Sequence, residues 1–499
     1  MATPSHETLS PVDAAWLRMD TPNNPMVINA IIVFKQPIRA EQWKKILEER
    51  FLRFRRFKQR VCNINNAPYW EDDPDFDLDL HVHRIGLPPP GTKKELQALV
   101  GDLMSHPIDF SRPPWQMYLV EEYSRGSALI VRLHHCIADG IALIKVLLSM
   151  ADEYFDPCEV PSISRTKTEL FDLLPDFLQA PAKLLASAAK ATEQVIASSL
   201  KVIDDPTHLW SLARQGLDVT RTLAKLALMP PDSPTIFKGK VGPKKVAAWG
   251  QPVPLPTIKQ IGKAHGAKIN DVAVATVTGA LRRYLIERGE SPEQVTVRVV
   301  IPINLRPFDQ ADQLGNHFGL VFLELPLGIE DPVERLLEVK RRMDALKHST
   351  EPIVSLGILY MLGLAPRREL QDIVVKLLSQ KASAVMSNVP GPQEPLHFDG
   401  VPMDKAMFWV PQSGDVGMGL SILSYNGEIL FGVMTDAQLV PDPERIATGF
   451  MEEFEMLRKQ FAPAMPGATD SKKVSAKKRS STAKRKKSAS SKQSPNESS

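Results

Sequence analysis

A run of aliphatic residues that ends in two adjacent histidines constrains the fold more than any other stretch of this 499-residue sequence. Residues 128–133 are rich in aliphatic and β-branched side chains, which predicts a buried strand. Residues 141–151 are apolar on almost every face and predict a buried helix. Asp139 stands where a helix N-cap is expected, and Gly140 permits a tight turn from strand to helix. The two histidines are therefore expected at the end of a rigid strand, a few residues from a carboxylate.

These histidines, His134 and His135, allow two interpretations. A neutral imidazole accepts a proton readily near pH 7, so each is a candidate general base. Equally, both could be polar core residues beside a helix cap. The full pattern, His-His-x-x-x-Asp-Gly, resembles the signature of acyltransferases that have the chloramphenicol-acetyltransferase-like, CoA-dependent fold. These include the wax ester synthase/diacylglycerol acyltransferase family and the condensation domains of peptide synthetases, and the motif alone does not choose between them.

Further blocks resemble the first of these families, in consistent order from about Leu9 to Phe461. Pro113-Pro114-Trp115 resembles the family's Pro-Leu-Trp element, with Pro114 in place of leucine. Asn270-Asp271 resembles its Asn-Asp pair. The remaining blocks are a strand that ends in Asn304-Leu305-Arg306-Pro307, a loop at Gly315-Asn316, and the segment Ser387-Asn388-Val389-Pro390-Gly391. The Asn-Asp pair also opens a predicted helix, with Asn270 as its N-cap and Asp271 as an acid of its first turn.

The resemblance implies an α/β fold of two chloramphenicol-acetyltransferase-like halves, each with a mixed sheet and flanking helices, around a central tunnel. The expected domains are an N-terminal half with the histidine motif, a helical crossover, a C-terminal half and a tail, over residues 1–155, 156–240, 241–462 and 463–499. The crossover could pack within the protein or lie on a membrane, because basic residues accompany its apolar face.

The implied reaction moves a long-chain fatty acyl group from acyl-CoA to diacylglycerol, which gives triacylglycerol, and/or to a long-chain alcohol, which gives a wax ester. The resemblance assigns the general base to His135, with direct attack and no acyl-enzyme. His134 and Asp139 join the catalytic set. Asp139 is expected to organise the site by capping the helix and by pairing with an arginine such as Arg18 or Arg306.

A second set of residues is expected to support the site or to line the tunnel. It consists of Gly140, Pro113, Trp115, Asn270, Asp271, Ser387 and Asn388. The hydroxyl of Ser387 and the amide of Asn388 could donate hydrogen bonds to a developing oxyanion, although capping the following turn is an equal alternative. No Walker-type phosphate loop and no metal motif is found, so neither a metal nor a cofactor is expected beyond acyl-CoA as co-substrate.

Charge is unevenly spread. The net charge is +3, but residues 471–499 hold ten Lys or Arg and a single acid. This tail is expected to be disordered. It could bind an anionic membrane or lipid-droplet surface, bind nucleic acid, or only aid solubility.

Three scattered cysteines, no signal peptide and no stretch long enough to span a bilayer favour a cytoplasmic protein that is peripheral to a membrane or droplet.

Two other functions remain open. A condensation-type enzyme would use carrier-bound acyl groups, but the sequence has no carrier domain. A non-catalytic protein that coats a membrane or lipid droplet would not need the intact histidine motif.

Overall fold

Strands and helices are interspersed along the computed structural model, which describes residues 6–64, 67–155, 219–305, 314–347, 349–364 and 368–461. The strands are β1 (Glu7–Thr8), β2 (Val27–Phe34), β3 (Gln59–Ile64), β4 (Ala67–Asp72), β5 (Val82–Arg84), β6 (Trp115–Tyr123), β7 (Gly126–His134), β8 (Lys245–Trp249), β9 (Val253–Pro254), β10 (Arg298–Asn304), β11 (Phe318–Glu324), β12 (Ala384–Pro390), β13 (His397–Phe398), β14 (Val401–Trp409), β15 (Met418–Tyr425) and β16 (Glu428–Asp436). The helices are α1 (Pro11–Met19), α2 (Ala40–Glu49), α3 (Lys93–Met104), α4 (Gly140–Met150), α5 (Val219–Leu228), α6 (Leu255–Ala264), α7 (Ile269–Glu287), α8 (Pro332–Lys347), α9 (Glu351–Leu364), α10 (Arg368–Ser379) and α11 (Pro443–Phe461).

Two large mixed sheets form the framework of these elements. The first has the strand order β13-β14-β2-β7-β6-β5, and the second has the order β11-β10-β12-β15-β16-β8, with β9 also beside β16. A small third sheet has the order β1-β4-β3. In the first sheet only β5 and β6 pair in parallel, and in the second β12 runs parallel to both β10 and β15. The expected α/β fold with mixed sheets is confirmed.

The C-terminal part of the chain contributes two strands to the first sheet. β14 pairs antiparallel with β2, so that Ala406 lies opposite Ile32 and Phe408 opposite Ala30. β13 pairs with β14 and extends the same edge. The first sheet therefore contains strands from both predicted halves, because β13 and β14 of the segment 241–462 complete the sheet that carries the histidine motif. The domain limits themselves remain a prediction.

The strand and helix predicted on either side of the motif are both present. β7 lies between β2 and β6, and all nine of its residues are buried, which explains the nearly continuous apolar run. A two-residue turn joins it to β6, where Ser124 adopts a φ of 58°. Asp139 is the N-cap of α4, because its carboxylate accepts the backbone N–H of Ala142 at 2.9 Å. The predicted cap is confirmed.

The predicted N-cap at Asn270 is wrong. α7 begins at Ile269 with Lys268 as its N-cap, so Asn270 lies inside the first turn. The carboxylate of Asp271 reaches back and accepts the backbone N–H of Lys268 at 2.8 Å, which moves the helix start toward the N-terminus.

Two predicted segments lie outside the described residues. The crossover is described only from residue 219, where α5 begins, and the basic tail is not described at all. Of the helices that are described, none combines the length with the apolar character needed to cross a membrane.

Candidate active site

His135 lies just beyond the end of β7, where the chain leaves the sheet. Its backbone N–H donates to the carbonyl of Met26 at 2.7 Å, and its own carbonyl accepts the side-chain amide of Asn316 at 2.7 Å. The imidazole stacks on the indole of Trp16, and Phe318 packs at an angle against the same ring. The candidate base is therefore held by backbone bonds and enclosed by aromatic rings.

The electrostatic setting of His135 keeps its imidazole neutral. Burial lowers the pKa of His135 to about 4, because the protonated ring loses its hydration. The residue's own backbone and the nearby charge of Asp139 oppose this shift only in part. At neutral pH the ring has an unprotonated nitrogen that can accept a proton, as a general base requires.

His134 has different surroundings. Its Nδ1 accepts the backbone N–H of Cys136 at 3.2 Å, and its Nε2 lies 3.8 Å from a carboxylate oxygen of Asp20. Its backbone N–H donates to the carbonyl of Pro114. These contacts shape the turn after β7.

Burial raises the pKa of the Cys136 thiol well above its usual value, so this cysteine stays protonated and is a poor nucleophile.

Asp139 ties the motif to the loop before β11. Besides capping α4, its carboxylate accepts the backbone N–H of His317 at 3.2 Å, and its own N–H donates to the carbonyl of Gly315 at 3.2 Å. Of its two proposed arginine partners, Arg18 donates to the carbonyl of Leu362 at 3.4 Å, and Arg306 lies outside the described residues. Asp139 thus holds the loop at Gly315 and His317 against the start of α4.

His135, Asp139 and Gly140 belong to the wall of a largely apolar cavity. Opposite pairs on β10 and β11 present one face to it, namely Val300 with Phe322, Pro302 with Leu320, and Asn304 with Phe318. α9 contributes a stripe at helical spacing, namely Ser355, Ile358, Leu359 and Leu362. Further apolar side chains come from α10 and β12. Such a wall suits a long hydrocarbon chain.

The structure brings some of the predicted supporting residues to this cavity. Ser387 and Asn388 line it from within β12, rather than from the turn that follows. The side-chain amide of Asn388 donates to Oδ1 of Asn270, which places Asn270 directly behind the cavity wall. These contacts link the start of α7 to the chamber that contains His135.

Other predicted supporting residues do not line the cavity. The indole N–H of Trp115 donates to the carbonyl of Phe57 at 2.8 Å, and its ring is fully buried. Pro113 is buried beside it and accepts the backbone N–H of Trp115. Asp271 is engaged with the backbone at the start of α7. The structure gives all three a place in the packing around the site.

Sequence reasoning misses three residues that surround the candidate base. Trp16 stacks on its ring, Asn316 binds its carbonyl, and Asp13 accepts two hydrogen bonds from Asn316. The Gly315-Asn316 block is a signal that could have identified Asn316. Nothing in the short helix that contains Asp13 and Trp16 indicates contact with a histidine more than a hundred residues away.

Comparison with known families gives two matches, which together cover most of the chain. Residues 9–273 match the family described as the wax ester synthase/diacylglycerol acyltransferase catalytic domain, and residues 314–458 match the WS/DGAT C-terminal domain.

Two similar curated proteins come from Mycobacterium tuberculosis. The putative diacylglycerol O-acyltransferase Rv1760 is 28% identical over 475 residues, which cover 90% of each chain. The probable diacylglycerol O-acyltransferase tgs1 is 26% identical over 453 residues, which cover 88% of this chain and 93% of that protein.

Solved structures share the fold. The wax ester synthase/diacylglycerol acyltransferase from Marinobacter aquaeolei VT8 superposes with a TM-score of 0.61 at 21% identity, and the match covers 91% of this chain and 99% of that one. The first condensation domain of the calcium-dependent antibiotic synthetase gives a TM-score of 0.55 at 13% identity, with 92% and 96% covered. At these identities the likeness concerns the fold alone.

Proposed function

The chain belongs to the wax ester synthase/diacylglycerol acyltransferase family, and from this premise we propose that it is an O-acyltransferase. It moves a long-chain fatty acyl group from acyl-CoA to diacylglycerol, to a long-chain alcohol, or to both. One observation carries this proposal: the neutral, buried imidazole of His135 lies in the wall of a cavity whose other walls are largely apolar.

The chemistry follows from that position. The acceptor hydroxyl transfers its proton to a ring nitrogen of His135 while its oxygen attacks the thioester carbonyl carbon, which forms a tetrahedral intermediate. Collapse of the intermediate breaks the carbon–sulfur bond, and the protonated ring returns the proton to the departing CoA thiolate. The ester and free CoA are the products, and no covalent acyl-enzyme is needed.

The negative charge on the intermediate requires hydrogen-bond donors. The hydroxyl of Ser387 and the side-chain amide of Asn388 are candidates, because both line the same cavity as His135. The bond from Asn388 to Asn270 orients the amide before substrate arrives. No metal and no cofactor beyond acyl-CoA enters this proposal.

The substrates also suggest where the protein acts. Acyl-CoA and the lipid acceptors are amphiphiles, so we place the enzyme peripherally at a membrane or lipid-droplet surface on the cytoplasmic side. The ten basic residues of the segment 471–499 are suited to an anionic lipid surface. Nucleic acid is a weaker alternative partner for this segment.

The test is release of CoA thiol from palmitoyl-CoA by the purified protein, with hexadecanol or a diacylglycerol as the acceptor and extraction of the ester. We expect acceptor-dependent release, and a loss of at least about 100-fold in kcat for His135→Ala. Cys136→Ala is the matched control at the neighbouring buried residue, and it should keep its activity because no acyl-thioester forms on the enzyme.

Each competing function predicts a different result. A folded protein inactive with both acceptors but active on carrier-bound acyl groups would be a condensation-type enzyme. A coat protein would bind lipid and show no turnover. Equal activity in wild type and His135→Ala would remove His135 as the base.

A further inference from the structure

Asn316 links α1 to the candidate base. Its Nδ2 donates to the carbonyl oxygen of His135 and to Oδ1 of Asp13, each at 2.7 Å, and its backbone N–H donates to the same Oδ1 at 3.1 Å. All three residues are buried, and they come from three separate parts of the chain. We propose that Asp13 and Asn316 are positioning residues for acyl transfer, which hold His135 in its productive orientation. The inference rests on the function proposed above.

The bond from Asn316 holds His135 at the point where the sheet no longer does. β7 ends at His134, so the backbone of His135 lies beyond the regular ladder. Its N–H is still held by Met26 of the neighbouring segment. The amide of Asn316 holds the carbonyl on the other side of the residue, and the two bonds together determine how the Cα–Cβ bond of His135 points.

The imidazole ring has few other restraints. Its Nδ1 makes no hydrogen bond to any other residue in the described part of the chain. Trp16 and Phe318 pack against the ring without a hydrogen bond to it. Because no described residue holds Nδ1, the position of the ring depends on the backbone of His135, which Asn316 holds through the carbonyl.

Asp13 determines which way the amide of Asn316 faces. An ionised carboxylate only accepts hydrogen bonds, so it selects the orientation with Nδ2 toward Asp13 and toward the carbonyl of His135. The reverse orientation would place Oδ1 against that carbonyl, and two acceptors would face each other. Ser10 completes the arrangement, because its hydroxyl donates to Oδ2 of Asp13 at 2.7 Å.

The experiment compares steady-state kinetics of acyl transfer in variants of the full chain. Asn316→Ala and Asp13→Ala should each lower kcat by about 10- to 100-fold, because a misplaced base loses much of its effect, while KM for palmitoyl-CoA changes less than about twofold. The double variant should be no slower than Asn316→Ala, because both residues act through one contact. Asp13→Asn keeps an acceptor at Oδ1 and should restore kcat to within about threefold of wild type.

A control variant separates positioning from general loss of a buried bond. The hydroxyl of Thr435 donates to the carbonyl of Val440 at 2.6 Å, and the residue is fully buried within β16, outside the cavity wall. Thr435→Val removes that bond without a change of shape and should leave kcat unchanged. If Asn316→Ala does not fold, Asn316→Ser removes the same bond with a smaller loss of volume and is measured in its place.

The outcomes are distinct. A wild-type kcat in the Asn316 variant, or equal losses in Asp13→Asn and Asp13→Ala, would overturn the positioning role while acyl transfer by the wild type stands. A change in KM without a change in kcat would also overturn it. No acyl transfer by a folded wild type would instead overturn the proposed function.

Discussion

The indole of Trp16 lies nearly parallel to the imidazole of His135, with ring centroids 4.5 Å apart and 17° between the planes. Phe318 packs against both rings, at 5.6 Å from Trp16 and 5.7 Å from His135. The candidate base thus has aromatic surfaces around it, and these surfaces both exclude water and attract the positive charge that the ring gains during catalysis.

We predict that Trp16→Leu lowers kcat about tenfold, because the imidazolium loses an aromatic neighbour whose contribution in a desolvated site is of the order of 1–2 kcal/mol. Trp16→Phe keeps a ring against His135 and should lose less than half of that free energy. We compare the kcat values of the two variants and check that their Tm values are equal. Equal losses would show that the volume of the side chain matters and its aromatic face does not.

The pH dependence of the reaction follows from the buried base. Since the pKa of His135 is lowered to about 4, the ring is neutral throughout the range from pH 5 to 8, and we expect kcat/KM to stay flat down to pH 5 with respect to this group. A half-maximal rate near pH 6.5 would contradict the lowered pKa. The same shift affects stability: between pH 6.5 and 4 the unfolded chain binds a proton that the folded chain does not, so this residue makes the fold less stable as the pH falls.

Asp13 has the opposite effect on stability. Burial raises its pKa to about 6, against the hydrogen bonds from Ser10 and Asn316 and the charge of Arg56. Its contribution to stability is therefore complete below about pH 4 and is lost as the pH rises through 6, with a total of about 3 kcal/mol. We predict that Asp13→Asn removes this dependence, so that the stability of the variant relative to wild type increases from pH 4 to pH 8. Urea unfolding at both pH values measures the difference, and a constant difference would contradict it.

Gly363 is predicted to tolerate no side chain. A Cβ at this position of α9 would lie 1.6 Å from the carbonyl oxygen of Pro11, at the start of α1, and neither backbone can yield without moving the cavity wall. Gly363→Ala should cost about 3 kcal/mol or more and lower the Tm, because overpacking against backbone is not relieved by a rotamer change. Gly86→Ala, where nothing lies within 4 Å of the added methyl, is the control and should be nearly neutral.

The parts of the fold predictable from sequence are those determined by neighbours in the chain. The apolar run of β7, the cap at Asp139 and the helix α4 are local features, and each is found where the pattern places it, although only Ala142, Val146, Leu148 and Met150 of α4 are fully buried. The cap at Asn270 fails for a local reason too, because Asp271 is also a capping residue and reaches back to Lys268. The N-cap itself is Lys268, a residue that N-cap preference alone would not select.

The rest of the site depends on contacts that no local pattern encodes. Trp16 is an ordinary buried residue of an amphipathic helix until α1 packs against the end of β7. Asn316 reaches the carbonyl of His135 across 181 positions of the chain. The cavity wall is likewise assembled from β10, β11, α9 and α10, whose sequences are typical of buried elements and carry no mark of a ligand.

The pairing of β14, from the C-terminal part of the chain, with β2 also has a consequence for biosynthesis. Until residues 401–409 leave the ribosome, β2 has no partner on one side, and the sheet that carries the histidines presents an open edge. Most of the chain must be translated before that edge is covered, so the N-terminal portion depends on its own C-terminal strand during synthesis much as it would on a chaperone. Separate expression of the two portions would leave this edge exposed, and co-expression would supply the missing strand in trans.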